Sequence, residues 1–128
     1  MKHLLIILSI LLPCTAIGDN HKEGTLYKWF TSSGIVWKGI GDKNIHHVYK
    51  GDVVNGVPNG VGILTSPNGS KYIGEFKDGL PNGQGTDIFP DGSKGIGEFR
   101  EGRPWNITHR DKNGNIIVKF VNGKEIKP

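Results

Sequence analysis

Hydrophobic and polar residues alternate with a period of two through the middle of the chain. In the segment 71–77, Tyr72, Gly74 and Phe76 fall on one side, whereas Ile73 falls on the other. This alternation is typical of a β-strand that buries one face. No window of the sequence carries apolar residues at helical spacing, so we predict an all-β chain.

Short segments rich in Gly, Asn, Asp and Pro separate the alternating segments. The Asp-Gly pair at 78–79 and the Asn-Gly pair at 82–83 are turn signals between two strands, and Pro-Asp-Gly at 90–92 ends the second strand. Three glycines recur at one turn position and are predicted to supply its positive φ. They are Gly56, Gly79 and Gly102.

The same pattern occurs twice, 23 residues apart. Tyr49 begins a segment that ends at Gly62, and Tyr72 begins a matching segment that ends at Gly85, with Pro, Asn and Gly at the same offsets. A short fixed period marks a repeat protein, in which each unit packs against its neighbours. We predict that each unit is one β-hairpin with its connector.

Two sets of glycines recur inside the predicted strands, where glycine normally weakens a strand. Gly51, Gly74 and Gly97 lie on the first strand of each unit, while Gly62 and Gly85 lie on the second. We expect these glycines to be structural, because an aromatic ring from a neighbouring position lies across the backbone there and leaves no room for a Cβ.

The repeated motif, Tyr-x-Gly-x-Phe-x-x-Gly-x-Pro-Asn-Gly-x-Gly followed by Pro-Asp-Gly, resembles the MORN repeat (membrane occupation and recognition nexus). The resemblance is strong over 49–71 and 72–94. It weakens afterwards, where Gly95 replaces the leading Tyr, and Asn106 and Thr108 replace Gly-x-Gly. The resemblance implies an elongated, single-layer antiparallel sheet of stacked β-hairpin repeats.

The flanking sequence is interpreted as atypical units of the same domain, which spans 19–128. Trp37 aligns with Tyr72, so 25–48 is predicted to be a degenerate unit, and 95–128 is predicted to hold degenerate and capping units. Terminal repeats that differ from the others prevent further stacking. We expect about nine short strands in all.

The first 18 residues are predicted to be a signal peptide. Lys2 precedes an apolar run, and Ala16 and Gly18 are small residues at the positions that a signal peptidase recognises. We expect cleavage near Gly18 and export to the periplasm, the cell surface or the medium. Lipid attachment at Cys14 is the alternative, but Pro13 stands where that motif has Gly or Ala.

The charge of the chain is mild and uneven. Sixteen basic and 12 acidic residues give a formal net charge of +4, whereas nucleic-acid binding needs a clustered basic face. The C-terminal third is the most basic part. If the protein binds anionic phospholipid, we expect the contacts to come from Arg100, Arg103, Arg110, Lys112 and Lys119.

The sequence shows no arrangement for catalysis, for a metal or for a cofactor. His46 and His47 are adjacent, so on a strand they face opposite sides, and the sequence neighbours of His109 do not complete a ligand set. Glu75 and Glu98 share one repeat position, which is typical of a solvated strand face, whereas catalysis needs one asymmetric site. We therefore predict that the chain is not an enzyme.

The aromatic residues of the repeat have two interpretations. They can stack as the thin core of the sheet, which we favour, or they can present an aromatic face to a partner. The candidates are Trp37, Tyr49, Tyr72, Phe76, Phe89 and Phe99. Carbohydrate binding would depend on Trp29 and Trp105.

Repeat architecture, an export signal and the lack of a catalytic arrangement predict a non-enzymatic exported module. It would act as a protein-interaction or structural scaffold for an unidentified protein partner. The alternative is a peripheral module that binds anionic phospholipid at a membrane. Because a single sheet has two open edges, the edge strands can also pair two copies into a homodimer.

Overall fold

The computed structural model describes residues 22–128, so the predicted signal peptide lies outside the described residues. Ten strands form one antiparallel sheet, in the order β10-β9-β8-β7-β6-β5-β4-β3-β1-β2. The strands are β1 (Lys22–Thr31), β2 (Gly34–Lys38), β3 (His47–Val54), β4 (Val57–Thr65), β5 (Lys71–Lys77), β6 (Leu80–Ile88), β7 (Lys94–Arg100), β8 (Arg103–Arg110), β9 (Ile116–Val121) and β10 (Lys124–Ile126). The predicted all-β, single-layer fold is confirmed, with ten strands instead of about nine.

Two-residue turns close the hairpins at one long side of the sheet. In the turn between β5 and β6, Asp78 has φ 49° and Gly79 has φ 86°. Positive φ at both central residues defines the type I′ turn, which matches the twist of the strands that it joins. The same geometry recurs at Asn55-Gly56, Glu101-Gly102 and Asn122-Gly123. The predicted positive φ of Gly56, Gly79 and Gly102 is therefore confirmed.

Five-residue turns connect successive units at the opposite long side. In 89–93, the Phe89 carbonyl accepts a hydrogen bond from the Gly92 amide at 2.9 Å, and the Asp91 carboxylate accepts one from the Ser93 amide at 2.9 Å. The segments 66–70 and 111–115 repeat the backbone bonds of this turn. The third turn shows that the hairpin stack continues beyond the part of the sequence where the motif is clear.

The Pro-Asn pair of each unit binds the turn of the next unit, an arrangement that we call the clasp. The Pro58 carbonyl accepts a hydrogen bond from the Gly79 amide at 2.9 Å, and the Asn59 side chain accepts one from the Asp78 amide at 3.0 Å. The next two clasps are Pro81-Asn82 on Glu101-Gly102 and Trp105-Asn106 on Asn122-Gly123. The predicted turn at 82–83 is therefore wrong, because Asn82 lies inside β6 and serves the clasp.

A row of six glycines crosses the centre of the sheet, each paired with the next. It consists of Gly24, Gly51, Gly62, Gly74, Gly85 and Gly97. The Tyr49 ring lies across Gly62, where an added Cβ would stand 2.5 Å from Tyr49 Cζ. Tyr72 covers Gly85 in the same way.

The tyrosine hydroxyls fasten these rings to β-bulges. Tyr49 Oη donates to the Asp52 carbonyl at 2.7 Å, and Tyr72 Oη donates to the Glu75 carbonyl at 2.9 Å. The carboxylates of the same two residues accept hydrogen bonds from backbone amides of the facing strand, both at 2.8 Å. Burial raises the pKa of both tyrosine hydroxyls, so they stay protonated and donate at physiological pH.

In the third unit, a glycine stands at the tyrosine position and a larger residue stands at the position of the glycine beneath the ring. Gly95 stands where the first two units have tyrosine, and Ile107 pairs with Gly97 where they have glycine. An added Cβ on Gly95 would stand 3.2 Å from Ile107 Cγ2, so the isoleucine occupies the room of the missing ring. The nearest neighbours of Gly97 are backbone atoms of Asn106 and Ile107, in contrast to the aromatic ring that we expected there.

The N-terminal hairpin departs from the predicted order of the stack. β1 pairs with β3, and β2 lies outside β1 at the edge of the sheet. The Trp37 side chain on β2 reaches back over the core, edge-on to Tyr49 with ring centroids 6.2 Å apart. Its Nε1 would stand 3.0 Å from a Cβ on Gly79, so the hairpin coils back onto the β5–β6 turn.

Gly85→Ala should destabilise the fold by about 1–3 kcal/mol, because its methyl group would enter the Tyr72 ring. Gly39→Ala is the matched control, since an added Cβ there meets nothing within 4 Å and neither glycine has a positive φ. The control should change stability by less than about 0.5 kcal/mol. Chemical denaturation midpoints measure both, and equal midpoints would show that the ring-on-glycine contact is dispensable.

Candidate functional site

The side of the sheet that carries Tyr49 and Tyr72, here called the inner face, is largely closed. Tyr49, Tyr72, Phe76 and Phe99 are each at most 4% exposed and stack edge-to-face at 4.8–5.1 Å between ring centroids. These four candidate binding residues form the core. Of the six aromatic candidates, only Trp37 and Phe89 are partly exposed, so a partner could touch the aromatic face at its rim alone.

One end of the inner face is cationic. The Lys28 ammonium lies 5.3 Å from the centre of the Phe30 ring and 5.9 Å from that of Trp37, within cation–π range. His47 pairs with Lys28 across the strands, and its Nδ1 is buried without a hydrogen-bond partner. Burial lowers the pKa of both side chains, and the Lys28 charge lowers that of His47 further.

The inner face also holds a carboxylate, on the central strand β6, that was not among the predicted site residues. Asp87 pairs with Tyr72 in the aromatic row, at the position where the preceding unit has Leu64. Burial raises the pKa of Asp87 to about 6, and nearby His109 partly opposes this shift. His109 stacks on Phe89 with ring centroids 5.3 Å apart. His109 therefore lies near a carboxylate in three dimensions, although its sequence neighbours complete no ligand set.

His46 and His47 contact different aromatic residues. His46 lies against Trp29 with ring centroids 4.0 Å apart, whereas His47 lies against Phe30 on the inner face. In residues 22–128, no group of three or more His, Cys, Asp and Glu side chains is arranged to hold a metal ion.

The five cations proposed for lipid binding do not form one patch. Arg100 and Arg103 pair beside the type I′ turns, whereas Arg110 and Lys112 lie at the opposite long side of the sheet. Arg100 is also engaged, since its Nε donates to Glu98 at 3.0 Å and its guanidinium lies 4.4 Å from the centre of the Trp105 ring.

The two tryptophans considered for carbohydrate binding already have ring contacts. Trp105 lies between the Arg100 guanidinium and Gly123, whose added Cβ would stand 2.7 Å from Trp105 Cζ3. Trp29 contacts both His46 and the Lys38 ammonium, and its Nε1 donates to the Ile40 carbonyl at 2.9 Å. Both rings are half-buried and engaged in these contacts, which weakens the case for carbohydrate binding.

The opposite side of the sheet, the outer face, is divided into three rows by the strand register. The central row is β-branched through Ile63, Ile73, Thr86, Ile96 and Thr108, and the register continues it to Lys50 at one side and Lys119 at the other. Toward the five-residue turns lies a basic row: Lys71, Ile88, Lys94 and Arg110. Toward the type I′ turns lies an acidic row that includes Asp52, Glu75 and Glu98.

The outer-face rows are exposed in part: Asp52 is buried, and Ile73, Thr86 and Thr108 of the central row are half-buried. Ile96 is 56% exposed and Ile63 is 37% exposed. A shallow groove of about 460 Å³ runs beside Ile96 between Lys94 and Arg110. Apolar side chains at this exposure on a regular strand face are available for contact with a partner.

The geometry defines a class of protein, a single-layer repeat protein built from β-hairpins. The sequence profile of the MORN repeat matches residues 49–71 and 72–94, which are the units centred on Tyr49 and Tyr72. The chain therefore contains two consecutive MORN repeats. Comparison with curated proteins gives no significant match.

In residues 22–128, no helix has the length and apolar character needed to cross a membrane.

Two features of these surfaces leave signals in the sequence, although neither was predicted. Asp87 aligns with Leu64 at the 23-residue period, and a charge at an apolar repeat position marks a special site. Lys71 and Lys94 also recur at that period. Arg110 joins them in the same row only through the strand register of β8.

Asp87→Asn should stabilise the protein at neutral pH. A raised native pKa means that the native state holds its proton more tightly, so the wild type loses stability as pH rises from about 4 to about 6. The variant should match the wild type below pH 4, become progressively more stable than it up to pH 6, and keep that advantage above pH 6.

Denaturation midpoints of the Asp87 variant and the wild type between pH 3.5 and 8 provide the measurement. Asp87→Leu restores the residue of the preceding unit and should show the same pH-dependent gain. A difference from the wild type that does not change with pH would contradict the assigned environment of the carboxylate.

Proposed function

We propose that this protein is an exported, non-enzymatic interaction module that holds a protein partner, or acts as a structural scaffold, through its outer face. MORN repeats are generally protein-interaction or membrane-binding modules. The arrangement of Lys2, the apolar run and Ala16-x-Gly18 supports export. The observation that carries the proposal is the isoleucine row, exposed at Ile63 and Ile96, between a basic row and an acidic row.

The central row supplies the apolar part of the binding energy. Burying one isoleucine side chain completely contributes about 1.5–3 kcal/mol. Ile63 and Ile96 are roughly half buried already, so covering each would add about 1 kcal/mol. The register keeps these residues on one face, so an extended partner segment can contact several of them at once.

The flanking rows supply orientation. A partner with acidic groups opposite Lys71, Lys94 and Arg110 gains charge complementarity in one orientation. It meets like charge at Glu75 and Glu98 if it is reversed. Charge patterns of this kind determine specificity and association rate more than affinity. An elongated protein segment of mixed charge fits this surface best.

Ile96→Glu should reduce partner recovery at least about tenfold when the tagged protein is purified from the cell envelope of its source, because it places a charge in the apolar row. Ile45→Glu is the matched control, since Ile45 is 67% exposed and lies in the connection between β2 and β3. Quantitative mass spectrometry compares recovery from the two variants. Equal recovery of the partner from both would exclude the outer-face row as the docking surface.

Membrane binding is the second candidate function, and one observation favours it. Lys71, Lys94 and Arg110 share a row without an acid and adjoin exposed isoleucines. Each cation near an anionic surface contributes about 1 kcal/mol, whereas stable attachment usually needs four to eight clustered cations. This row falls short of that number, so we rank the membrane second.

We expect weak sedimentation with anionic phospholipid vesicles at 0.15 M salt, strengthening as the salt is lowered. Lys94→Glu should abolish the low-salt binding, because it reverses the centre of the basic row. Arg100→Glu should have little effect, since Arg100 lies at the other side and is paired with Glu98. Tight binding at 0.15 M salt that is lost on reversing Lys94 would place the membrane function first.

A further inference from the structure

The edge strand β2 presents free backbone groups. Pairs in an antiparallel ladder alternate between hydrogen-bonded and non-hydrogen-bonded, and a two-residue turn is closed by a hydrogen-bonded pair. Thr31 pairs with Gly34 beside such a turn, so Val36 bonds to β1 whereas Ile35 and Trp37 do not. The N–H and C=O groups of Ile35 and Trp37 therefore point away from the sheet.

These backbone groups have no hydrogen-bond partner in the described part of the chain. β2 pairs with β1 alone, and no loop or turn bond reaches Ile35 or Trp37. An uncovered row of donors and acceptors is a template for another strand.

The opposite edge carries features that discourage pairing. β10 has only three residues, of which Lys124 and Glu125 are charged, and Pro128 follows shortly after. Short length, charge and proline are the usual means by which proteins protect an edge. β2 has five residues, no proline, and a charge only at Lys38. The two edges are thus unlike, and β2 is the unprotected one.

Exposed apolar residues lie beside β2, as they also do on the β9–β10 hairpin, where Ile116, Ile117, Val121 and Ile126 are exposed. Twelve large hydrophobic residues are exposed within residues 22–128, and five of them lie on this hairpin or in the segment that follows it. These are Phe30, Ile35, Val36, Ile40 and Ile45. Backbone groups free to pair and apolar side chains free to be covered occur at the same edge.

We propose that the β2 edge pairs with the β2 edge of a second copy of this chain. The two strands run antiparallel about a two-fold axis at Val36. Ile35 of each copy then exchanges both backbone hydrogen bonds with Trp37 of the other copy, which makes four bonds in total. Val36 faces its own counterpart as a non-hydrogen-bonded pair, in which side chains are closest.

The side chains suit this register. Ile35 and Trp37 lie on the inner face, so the pairing sets an isoleucine beside a tryptophan on that face, while the two Val36 side chains meet on the outer face. Lys38 comes opposite Gly34 of the other copy, so no like charges oppose each other. The Lys38 ammonium is also held 4.5 Å from the centre of the Trp29 ring of its own chain.

The result is a continuous sheet of 20 strands, twice the ten of one chain. A five-residue strand pair covers little area, so we expect a dimer of micromolar affinity. This inference is independent of what binds the outer face, because β2 lies at the end of the sheet, away from the isoleucine row.

A reciprocal charge change at Val36 tests the register. Val36→Lys and Val36→Glu should each weaken the dimer at least about tenfold, since each places like charges opposite one another. An equimolar mixture of the two variants should restore association as a heterodimer. Sedimentation equilibrium of the purified protein measures the mass, and circular dichroism verifies that both variants are folded.

Two controls locate the interface. Ile63 matches Val36 in exposure, at 37% against 39%, and lies on the outer face of a central strand, so Ile63→Lys should leave the dimer intact. Ile117→Lys at the opposite end should also leave it intact. A monomeric wild type at 0.1 mM would overturn the proposal. So would a dimer that persists in both Val36 variants, or one that is lost on changing Ile117.

Amide hydrogen exchange on the wild type gives a test without substitution. The amides of Ile35 and Trp37 should exchange at least about tenfold more slowly at high protein concentration than at high dilution. The Val36 amide, bonded to β1 in either state, should change little. Concentration-independent exchange at Ile35 and Trp37 would show that a segment of the same chain covers the edge, or that nothing does, and either result overturns the dimer.

Discussion

The packing of a tyrosine ring onto a glycine of the facing strand is the contact on which this structure depends. A single-layer sheet has no second layer to cover its apolar face, so each tyrosine ring is covered by the backbone of its own hairpin and by a phenylalanine ring of the next. Tyr49 does so by lying flat across Gly62, and its hydroxyl donates to the Asp52 carbonyl. One side chain therefore covers the backbone, fixes the β-bulge and buries itself. In the third unit, Ile107 and Gly95 meet the same spatial requirement with the sizes reversed.

This requirement explains why the fold was largely predictable from the sequence. The ring, the glycine beneath it and the turn glycines must all recur at one period, so the 23-residue pattern encodes the hairpin directly. The type I′ turns followed from Asp-Gly and Asn-Gly pairs between alternating segments. The prediction failed at 82–83, because the Asn-Gly pair there has the composition of a turn but serves a neighbouring unit from within a strand.

The rest depended on long-range placement that local patterns do not encode. The alignment of Trp37 with Tyr72 correctly indicated a strand that packs a large ring on the core, yet it gave no sign that this strand lies at the edge of the sheet. β1 pairs with β3, although β2 and an irregular connection separate the two strands along the chain. Nothing in the local sequence specifies that choice. Likewise, the three rows of the outer face arise from strand register across several hairpins. The cations that we had grouped by sequence, such as Arg100 and Arg110, are separated by the length of a strand.

The clasp has a consequence for how such a chain can change its length. Each Pro-Asn pair binds the backbone of the following turn, so a unit in the interior of the stack both supplies a clasp and receives one. An inserted block of one whole period would present both halves of this arrangement and join the stack at either side. A block of any other length would leave a turn amide and an asparagine side chain without partners. The stack can therefore grow or shrink only in whole units, and the length of the binding surface on the outer face changes by the same fixed increment.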